Sequence, residues 1–208
     1  MVALQGSLFA QGPSVAPRSL VGGAGRTVLG QGAWIELHRD WLAGADRLFE
    51  RLVRSVAWRA ERRYMYDRVV DVPRLCAFYA EGEPLPDPAL SAAMAALDRA
   101  YGAELGEPFA TVGLCCYRDG RDSVAFHGDT VGRGATDDTM VAVCSLGAPR
   151  AFLLRPRGGG PSSRLVLSGG DLLVMGGSCQ RTFEHAVPKT RRPVGTRVSV
   201  QFRTRGVR

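Results

Sequence analysis

The chain has 208 residues and a formal net charge of +7, with 45% hydrophobic and 23% charged residues. That length fits one domain with a single core, and the balanced composition excludes a fibrous or largely disordered chain. No apolar run approaches the roughly 20 residues needed to cross a bilayer. The N-terminus has neither a basic start nor a sustained apolar stretch, so we expect a cytoplasmic protein without membrane association.

Residues 1–30 are rich in Gly, Pro and Ser. We expect them to form an extended N-terminal arm, followed by a single domain over 31–208. Hydrophobic residues then recur at helical spacing between Leu42 and Val56, and Asp40 is placed to cap the start of that helix. The pattern predicts an amphipathic helix whose role is packing.

A second helix and a series of short strands follow along the chain. The helix begins at the Asp87-Pro88 start signal and ends at Gly102. After Pro108 the pattern changes to short apolar runs separated by Gly, Asp and Pro. Eight strands are predicted, over residues 110–117, 123–127, 139–146, 150–155, 164–167, 171–175, 183–187 and 196–203. Strands at such spacing indicate a sandwich or a barrel.

The number of cysteines and the distribution of charge limit the kinds of site and partner that the protein can have. The five cysteines are odd in number and lack C-x-x-C spacing, which predicts neither a disulfide framework nor a zinc site. From Arg150 to Arg208 there are twelve Arg or Lys residues against two acids. This excess favours a polyanionic partner, although a solvated face of arginines explains it equally well.

A histidine and an aspartate two residues apart form a candidate metal site. His127 and Asp129 occur in SVAFHGD, and on extended backbone this spacing puts both side chains on one face. His185, in RTFEHAVPK, would complete two imidazoles and one carboxylate, a set that binds Fe(II) and leaves positions open for substrate and dioxygen. By itself H-x-D is a weak signal, and a hydrogen-bonded core histidine explains it more simply.

The segment RVSVQFR supplies a second signal through its strict alternation. One face carries the polar residues Arg197, Ser199, Gln201 and Arg203, and the other carries Val198, Val200 and Phe202. Guanidinium groups pair bidentately with carboxylates, so the two arginines suit a small dicarboxylate or its metal site. The alternative is a strand with one face toward solvent.

Together these motifs resemble the AlkB family of Fe(II)- and 2-oxoglutarate-dependent dioxygenases. Three motifs follow one another in that family's order: HGD, a distal His in a weakly apolar strand, and R-x-x-x-x-x-R. Two further segments resemble those of bacterial members, CSLGAPRAFLLR and GGDLLVMGG. The likeness extends over about residues 60–205. It implies a mostly β fold with flanking helices, with a double-stranded β-helix (jelly-roll, cupin-like) core over about 110–205 and N-terminal helical, nucleotide-recognition elements.

The resemblance also implies an activity. The protein would use Fe(II), 2-oxoglutarate and O2 to remove alkyl groups from DNA bases such as 1-methyladenine and 3-methylcytosine, with release of aldehyde, succinate and CO2. His127, Asp129 and His185 would be the metal ligands and the catalytic centre. Three alternatives stay open: the same chemistry on RNA, the same chemistry on a protein or small molecule, and a non-catalytic jelly-roll nucleic-acid-binding module.

Four further residues take cosubstrate roles by the same resemblance. Arg197 would bind the far carboxylate of 2-oxoglutarate, and Arg203 would lie nearer the metal and orient Asp129. Tyr117 corresponds to a tyrosine that hydrogen-bonds the cosubstrate. Cys115 stands where many relatives have an Asn that helps to bind 2-oxoglutarate, which puts the affinity for this cosubstrate in question.

The residues expected to face the substrate differ from the family pattern in two places. Val131 stands two positions after the metal Asp, where repair members often carry an acidic residue. The segment Phe78 to Pro88 is short for a lid, which predicts an open site that favours single strands. Candidates for nucleic-acid contact are Arg74, Tyr79, Arg118, Arg121 and Arg133, each explained more simply as an ordinary surface residue. We expect a monomer.

Overall fold

A computed structural model describes residues 14–20, 25–65 and 68–207; residues 1–13 and 21–24 of the predicted arm lie outside it. The helices are α1 (Ala45–Ser55), α2 (Pro88–Leu105) and α3 (Cys179–Thr182), with a 3-10 turn at Arg133–Ala135. The strands are β1 (Ala16–Pro17), β2 (Thr27–Gly30), β3 (Ala33–His38), β4 (Leu42–Ala43), β5 (Arg59–Met65), β6 (Arg68–Tyr79), β7 (Phe109–Tyr117), β8 (Val124–His127), β9 (Val141–Gly147), β10 (Arg150–Pro156), β11 (Ser163–Leu167), β12 (Leu172–Gly177), β13 (Phe183–Val187) and β14 (Arg197–Thr204).

Two antiparallel sheets build most of the described molecule. The larger has eight strands in the order β2-β3-β12-β9-β14-β7-β6-β5, and the smaller has four in the order β11-β10-β13-β8. The fold is therefore mostly β with flanking helices, as predicted. All eight predicted strands are present as β7 to β14, and both ends of each strand lie within two residues of the predicted position. The apolar pattern was a sufficient signal for most of these strands because they bury at least one face.

Hydrophobic cores lie on both faces of the eight-stranded sheet. On one face, α1 and α2 bury leucines such as Leu48 and Leu97 against Val200 and Phe202 of β14. On the other face, the two sheets pack together around residues such as Phe152. Each fully buried leucine or phenylalanine contributes about 1.5–3 kcal/mol relative to an exposed one. This arrangement makes three layers, with helices outside the large sheet and the small sheet opposite.

The start of the first helix was predicted wrongly. It begins at Ala45 after Gly44, which has φ 68° and provides no side-chain cap. Asp40 lies in a turn at φ 49°, and its backbone N–H donates to Asp171 Oδ1 at 3.0 Å. Leu42 belongs to the short strand β4, which pairs with β1. The helical spacing of Leu42 misled the prediction because this residue is buried through a strand instead.

The second helix begins where the sequence predicts and ends later. The Asp87 carboxylate accepts a hydrogen bond from the backbone N–H of Ala89 at 2.9 Å, and Pro88 occupies the first turn. The end predicted at Gly102 was wrong, because the helix continues to Leu105. Gly106, at φ 72°, takes the left-handed conformation that ends a helix. Within the described ranges, no helix combines the length and apolarity needed to span a bilayer.

The N-terminal third contains strands that the sequence pattern did not reveal. Part of the predicted arm, Thr27–Gly30, pairs with β3, and Ala16–Pro17 pairs with β4. Strands β5 and β6 form a hairpin at the edge of the large sheet. β5 has the sequence RAERRYM, in which arginines replace the alternating apolar residues of an ordinary strand.

Candidate active site

The register of the small sheet brings the two motif histidines together. His127, the last residue of β8, is the direct cross-strand partner of His185 in β13, and their ring centroids are 4.3 Å apart. Asp129 follows two residues later, with Oδ1 3.8 Å from His127 Nε2. One ligand atom from each of the three residues lies within 4.8 Å of the others. Two imidazoles and one carboxylate at this spacing suit a ferrous ion.

Asp129 is held in place by two hydrogen bonds, one at its backbone and one at its carboxylate. Its backbone N–H donates to Gln180 Oε1 at 3.0 Å, and Arg203 Nε donates to its Oδ2 at 2.7 Å. This leaves Oδ1 directed toward His127. Gly128 is required at the approach to this carboxylate, because a Cβ there would lie 2.1 Å from the Gln180 carbonyl oxygen. Arg203 therefore orients Asp129, in the manner expected of a group behind a metal ligand.

The surroundings set Asp129 and His185 in the unprotonated state that metal binding needs. Burial opposes ionisation of Asp129, but Arg203 and the two histidines hold its pKa well below the ordinary value. Burial, together with His127, lowers the pKa of His185 to about 3. His127 Nδ1 lies 2.9 Å from the Ala125 carbonyl oxygen, which can only accept. Nδ1 therefore carries the proton and Nε2 presents its lone pair.

A cavity lies between the two sheets next to this triad, and Arg197 lines its inner end. Arg197 is only 1% exposed, and its Nε donates to Ser145 Oγ at 2.8 Å. Its Nη1 is buried and has no hydrogen-bond partner in the described part of the chain. Burial lowers the pKa of Arg197. A buried guanidinium N–H without a partner is costly, and a carboxylate of 2-oxoglutarate would satisfy it.

Further predicted cosubstrate residues line the same cavity. Tyr117 is the cross-strand partner of Arg197, whose Cζ lies 5.3 Å from the tyrosine ring centroid. Cys115 lies two residues earlier on the same face of β7. Ser199 and Gln201 also line the cavity, and Gln201 Nε2 donates to Ser199 Oγ at 2.6 Å. The sequence placed these two on the polar face of β14 without giving them a role.

A glycine on β7 makes the position of Arg203 possible. Gly113 is opposite Gln201 in the sheet, and a Cβ at this position would lie 2.6 Å from Arg203 Nη1. The missing side chain leaves space for the Arg203 guanidinium to cross β7 and reach Asp129. The alternation predicted for β14 is present, but both faces are buried, which rules out the alternative of a solvent-facing strand.

Two of the predicted nucleic-acid contacts lie in partly buried positions. Arg74 lines the cavity; its Nη1 donates to the Ser123 carbonyl at 3.4 Å, and its Nε has no hydrogen-bond partner among the described atoms. Tyr79 ends β6 and packs against the helix-side core. Arg74 is thus a partly buried residue of the cavity wall, and its contact with nucleic acid stays a prediction.

The other three predicted contacts are at the surface and paired with acids. Their ion pairs are Arg118 with Asp122, Arg121 with Asp119, and Arg133 with both Glu107 and Asp137. Each charge is therefore locally balanced, and contact with nucleic acid stays a prediction for these residues. Val131 is 67% exposed in the loop after the metal ligands, where it is accessible to a substrate.

Residues 50–203 match the family model described as the 2OG-Fe(II) oxygenase superfamily. The chain belongs to this superfamily, whose members use Fe(II), 2-oxoglutarate and O2. It is 30% identical over 182 residues to the alpha-ketoglutarate-dependent dioxygenase alkB homolog 3 of Bos taurus, covering 78% of this chain and 62% of that protein. The human homolog 3 is 29% identical over 179 residues, covering 77% and 61%. The AlkB resemblance is thereby confirmed, and the chain spans about three fifths of these relatives' length.

Other similarities support the same assignment and the fold. The DNA oxidative demethylase ALKBH2 of Arabidopsis thaliana is 31% identical over 131 residues, covering 51% of this chain and 41% of that protein. The structure of OsALKBH1 superposes with a TM-score of 0.59 at 15% identity, covering 86% of this chain and all of that one. A Trichoplax adhaerens prolyl hydroxylase bound to a hypoxia inducible factor peptide has a TM-score of 0.59 at 12% identity, covering 81% and 83%. The jelly-roll fold is confirmed by these structures.

Proposed function

We propose that the protein is an Fe(II)- and 2-oxoglutarate-dependent dioxygenase that oxidatively dealkylates damaged bases in DNA. The observation that carries the proposal is the arrangement of one cavity. The His127, Asp129 and His185 triad lies at one side of it, and the unpaired Nη1 of Arg197 lies at its inner end. The homology to AlkB proteins supports damaged nucleobases as the substrate class.

Each residue of the cavity has a role in this proposal. Fe(II) held by the triad would supply, with O2 and 2-oxoglutarate, the oxidising power to hydroxylate an N-alkyl carbon. Arg197 binds the far carboxylate of 2-oxoglutarate, with Tyr117 beside it. Arg203 keeps the Asp129 carboxylate ionised and oriented. Apolar side chains of the wall, among them Val143, Phe152 and Val187, limit the entry of water.

The edge hairpin β5–β6 supports a polyanionic substrate. Strand β6 pairs with β7 only over Leu75 to Tyr79, whereas its pairing with β5 continues to Arg68, so the hairpin extends past β7. Residues 59–74 contain five arginines and three acids. A basic element beside the cavity suits the phosphates around a base that has left the stack. We infer that the protein acts as a monomer and prefers single strands.

Direct measurement of base repair tests the proposal. Fe(II)-loaded protein is incubated with 2-oxoglutarate, ascorbate and air, and with single- and double-stranded oligonucleotides that carry 1-methyladenine or 3-methylcytosine. We expect each repaired base to lose about 14 mass units, the difference of one CH2. His127→Ala should abolish the loss, and Arg54→Ala, which changes an exposed arginine of α1 outside the cavity, should not.

Two other outcomes redirect the assignment. Succinate formation without base repair would contradict the DNA substrate while retaining the oxygenase, and methylated RNA and protein substrates would then be tested. No succinate with any substrate, from protein that binds Fe(II), would contradict the enzyme and favour a nucleic-acid-binding module.

A further inference from the structure

Two cysteines face each other in the wall of the cavity. Cys76 of β6 and Cys115 of β7 are direct cross-strand partners, and their Sγ atoms are 4.0 Å apart. Directly opposed residues in antiparallel strands have Cα atoms about 4.5–5.5 Å apart, within the range that a disulfide spans. Both thiols are free. A bond between them requires about 2 Å of sulfur movement through side-chain rotation and no change of register.

The two thiols are chemically different. The hydrogen bond from Cys76 lowers the pKa of Cys115 below its ordinary value, and the Arg74 guanidinium lowers it further, against the effect of burial. The same hydrogen bond, together with burial, raises the pKa of Cys76. Cys115 is therefore the more readily ionised of the two thiols. This is the division of roles between an attacking and a resolving cysteine.

The position of the pair separates it from the other three cysteines. Cys115 lines the open cavity, where a small oxidant can reach it. Cys116 is on the opposite face of β7 in the helix-side core, and burial raises its pKa to about 11. Burial also raises the pKa values of Cys144 and Cys179 to about 12. In the described part of the chain, only the Cys76 and Cys115 pair combines proximity, access and activation.

We propose that Cys76 and Cys115 are an oxidisable thiol pair that hydrogen peroxide converts to a disulfide, and that 2-oxoglutarate in the cavity protects the pair. The Cys115 thiolate attacks one peroxide oxygen, the O–O bond breaks, and a sulfenic acid and hydroxide form. The Cys76 sulfur then attacks the Cys115 sulfur, the S–O bond breaks, and the oxygen leaves with the Cys76 proton as water. The pair loses two electrons, and one peroxide becomes one water and one hydroxide, which the proton released when Cys115 ionised converts to a second water.

Protection by the cosubstrate follows from space and charge, and it rests on the proposed function. A molecule bound at Arg197 and the triad fills the cavity through which peroxide reaches Cys115. Its negative charge also disfavours a thiolate nearby and so makes the thiol less reactive. The disulfide should therefore form mainly when 2-oxoglutarate is scarce.

The test uses the full chain loaded with Mn(II), which prefers oxygen and nitrogen ligands and leaves thiols free. Reduced protein is treated with hydrogen peroxide, with and without 2-oxoglutarate, and remaining thiols are then alkylated. Before alkylation we expect a loss of about 2 mass units, and after alkylation and digestion a linked peptide that joins Cys76 to Cys115. Cys115 should react roughly tenfold or more faster than Cys116 at pH 7, because its thiolate fraction is higher.

Three variants identify the reacting sulfurs. Cys116→Ala, a change at the adjacent residue on the opposite face, should leave the linked peptide unchanged. Cys76→Ala should leave a Cys115 sulfenic acid that a dimedone probe traps, and Cys115→Ala should form neither product. Circular dichroism verifies the folding of each variant. The pH dependence of alkylation in the unaltered protein identifies the most reactive thiol without any substitution. The proposed thiol pair would be overturned if Cys76 and Cys115 stayed reduced while another cysteine oxidised. It would also be overturned if Cys115 formed a sulfinic acid without a link to Cys76.

Calorimetry with 2-oxoglutarate separates the two proposals. Binding with at least about tenfold slower oxidation supports protection, since a site at 90% occupancy leaves one tenth of the cavities open. Binding without any slowing would overturn protection and leave the proposed function intact. Disulfide formation without detectable 2-oxoglutarate binding would overturn protection and contradict the proposed function, while the thiol pair would stand.

Discussion

Three buried ionisable side chains set the charge of the site. Asp129, His185 and Arg197 are 5%, 8% and 1% exposed, respectively. Removing charged groups from water costs several kcal/mol unless partners replace the lost hydration. Asp129 has Arg203 as a partner, and His185 avoids the cost by staying neutral. Arg197 has Ser145 and keeps Nη1 without a partner among the described residues, an arrangement that suits a binding group for an anion better than a structural ion pair.

Arg197→Lys tests the need for a guanidinium at this position. Lysine retains a positive charge but cannot form the two parallel hydrogen bonds that match a carboxylate. We expect the KM for 2-oxoglutarate to rise about ten- to a hundredfold, the loss of one or two charge-assisted hydrogen bonds. Steady-state succinate formation measures it, with Arg54→Ala as a control. An unchanged KM would show that the cosubstrate binds elsewhere.

Acid should destabilise the metal-free protein through His185. Its pKa is about 3 in the folded state against an ordinary value of 6.5, so the unfolded chain takes up a proton first. The stability from the neutral histidine is complete above about pH 6.5 and is lost as the pH falls toward 3. Thermal unfolding with chelator present should show a falling midpoint from pH 7 to 5. His185→Asn should make that slope shallower, and parallel slopes would contradict a buried neutral histidine.

Arg203→Met tests the orientation of Asp129. Without the guanidinium, the Asp129 carboxylate loses its hydrogen bond and its nearest cation, so its pKa rises toward the ordinary range. We expect Mn(II) affinity to fall about ten- to a hundredfold, as for other groups behind a metal ligand. The loss should grow as the pH falls toward 4, because protons then compete for Asp129. Calorimetric titrations from pH 8 to 4 measure the affinity of both proteins, and an equal affinity of the variant and the unaltered protein at every pH would refute the role.

At the scale of elements, strand β14 connects the core to the site. Val198, Val200 and Phe202 pack against the helices, while Arg197 and Arg203 on the alternate face reach the cavity. The sequence predicted this strand and its two faces because its alternation is uninterrupted. It did not predict the burial of the polar face, since that depends on the small sheet packing opposite. The edge hairpin was missed because β5 lacks apolar alternation and takes its stability from pairing with β6.

Gly113→Ala tests the contact between β7 and β14. The added Cβ would lie 2.6 Å from Arg203 Nη1, so the guanidinium must move away from Asp129. We expect metal affinity and activity to fall about tenfold or more, as with loss of a group that orients a ligand. The control is Gly102→Ala in α2, where a Cβ meets open space and should stabilise by about 0.5–1 kcal/mol. Equal activity of both variants would contradict the steric argument.

Asp87→Ala tests the junction of the two helices. Asp87 caps α2 and accepts hydrogen bonds from Arg51 of α1 at 2.6 and 3.1 Å. We expect the free energy of unfolding to fall by about 1–3 kcal/mol through loss of the cap and of a charged partner. Arg54→Ala, which removes an exposed pair with Glu50, should cost under about 0.5 kcal/mol. Urea unfolding measures both, and equal costs would refute the capping role.

For the whole molecule, the site exists only through contacts distant in sequence. His127 and His185 are adjacent because β8 pairs with β13, and Tyr117 lies beside Arg197 because β7 pairs with β14. Residue types and spacing identified the three side chains that the structure brings together, since their chemistry is specific. They could not place Arg74 in the cavity or bring Cys76 opposite Cys115. Those positions follow from strand register, which a single sequence does not reveal.

Substrate binding should depend on salt if the partner is a nucleic acid. Each phosphate contact releases counterions, so log affinity falls linearly with log salt, by about 0.7 per contact for a single strand. Removing one phosphate contact lowers the slope by about one such unit. Arg59→Ala, an exposed position of the edge hairpin, should therefore reduce the slope, and Arg54→Ala should not. Fluorescence anisotropy from 50 to 200 mM salt measures it, and a flat profile would favour an uncharged substrate.

The two-faced burial of β14 limits how this chain can change in length. Inserting or deleting one residue within the strand would exchange its faces, so that arginines enter the helix-side core and valines enter the cavity. The fold and the cosubstrate site would fail together. Length variation is tolerated best in surface loops, such as residues 157–162 between β10 and β11. Insertions and deletions among natural variants should therefore collect in such loops and be absent from β14.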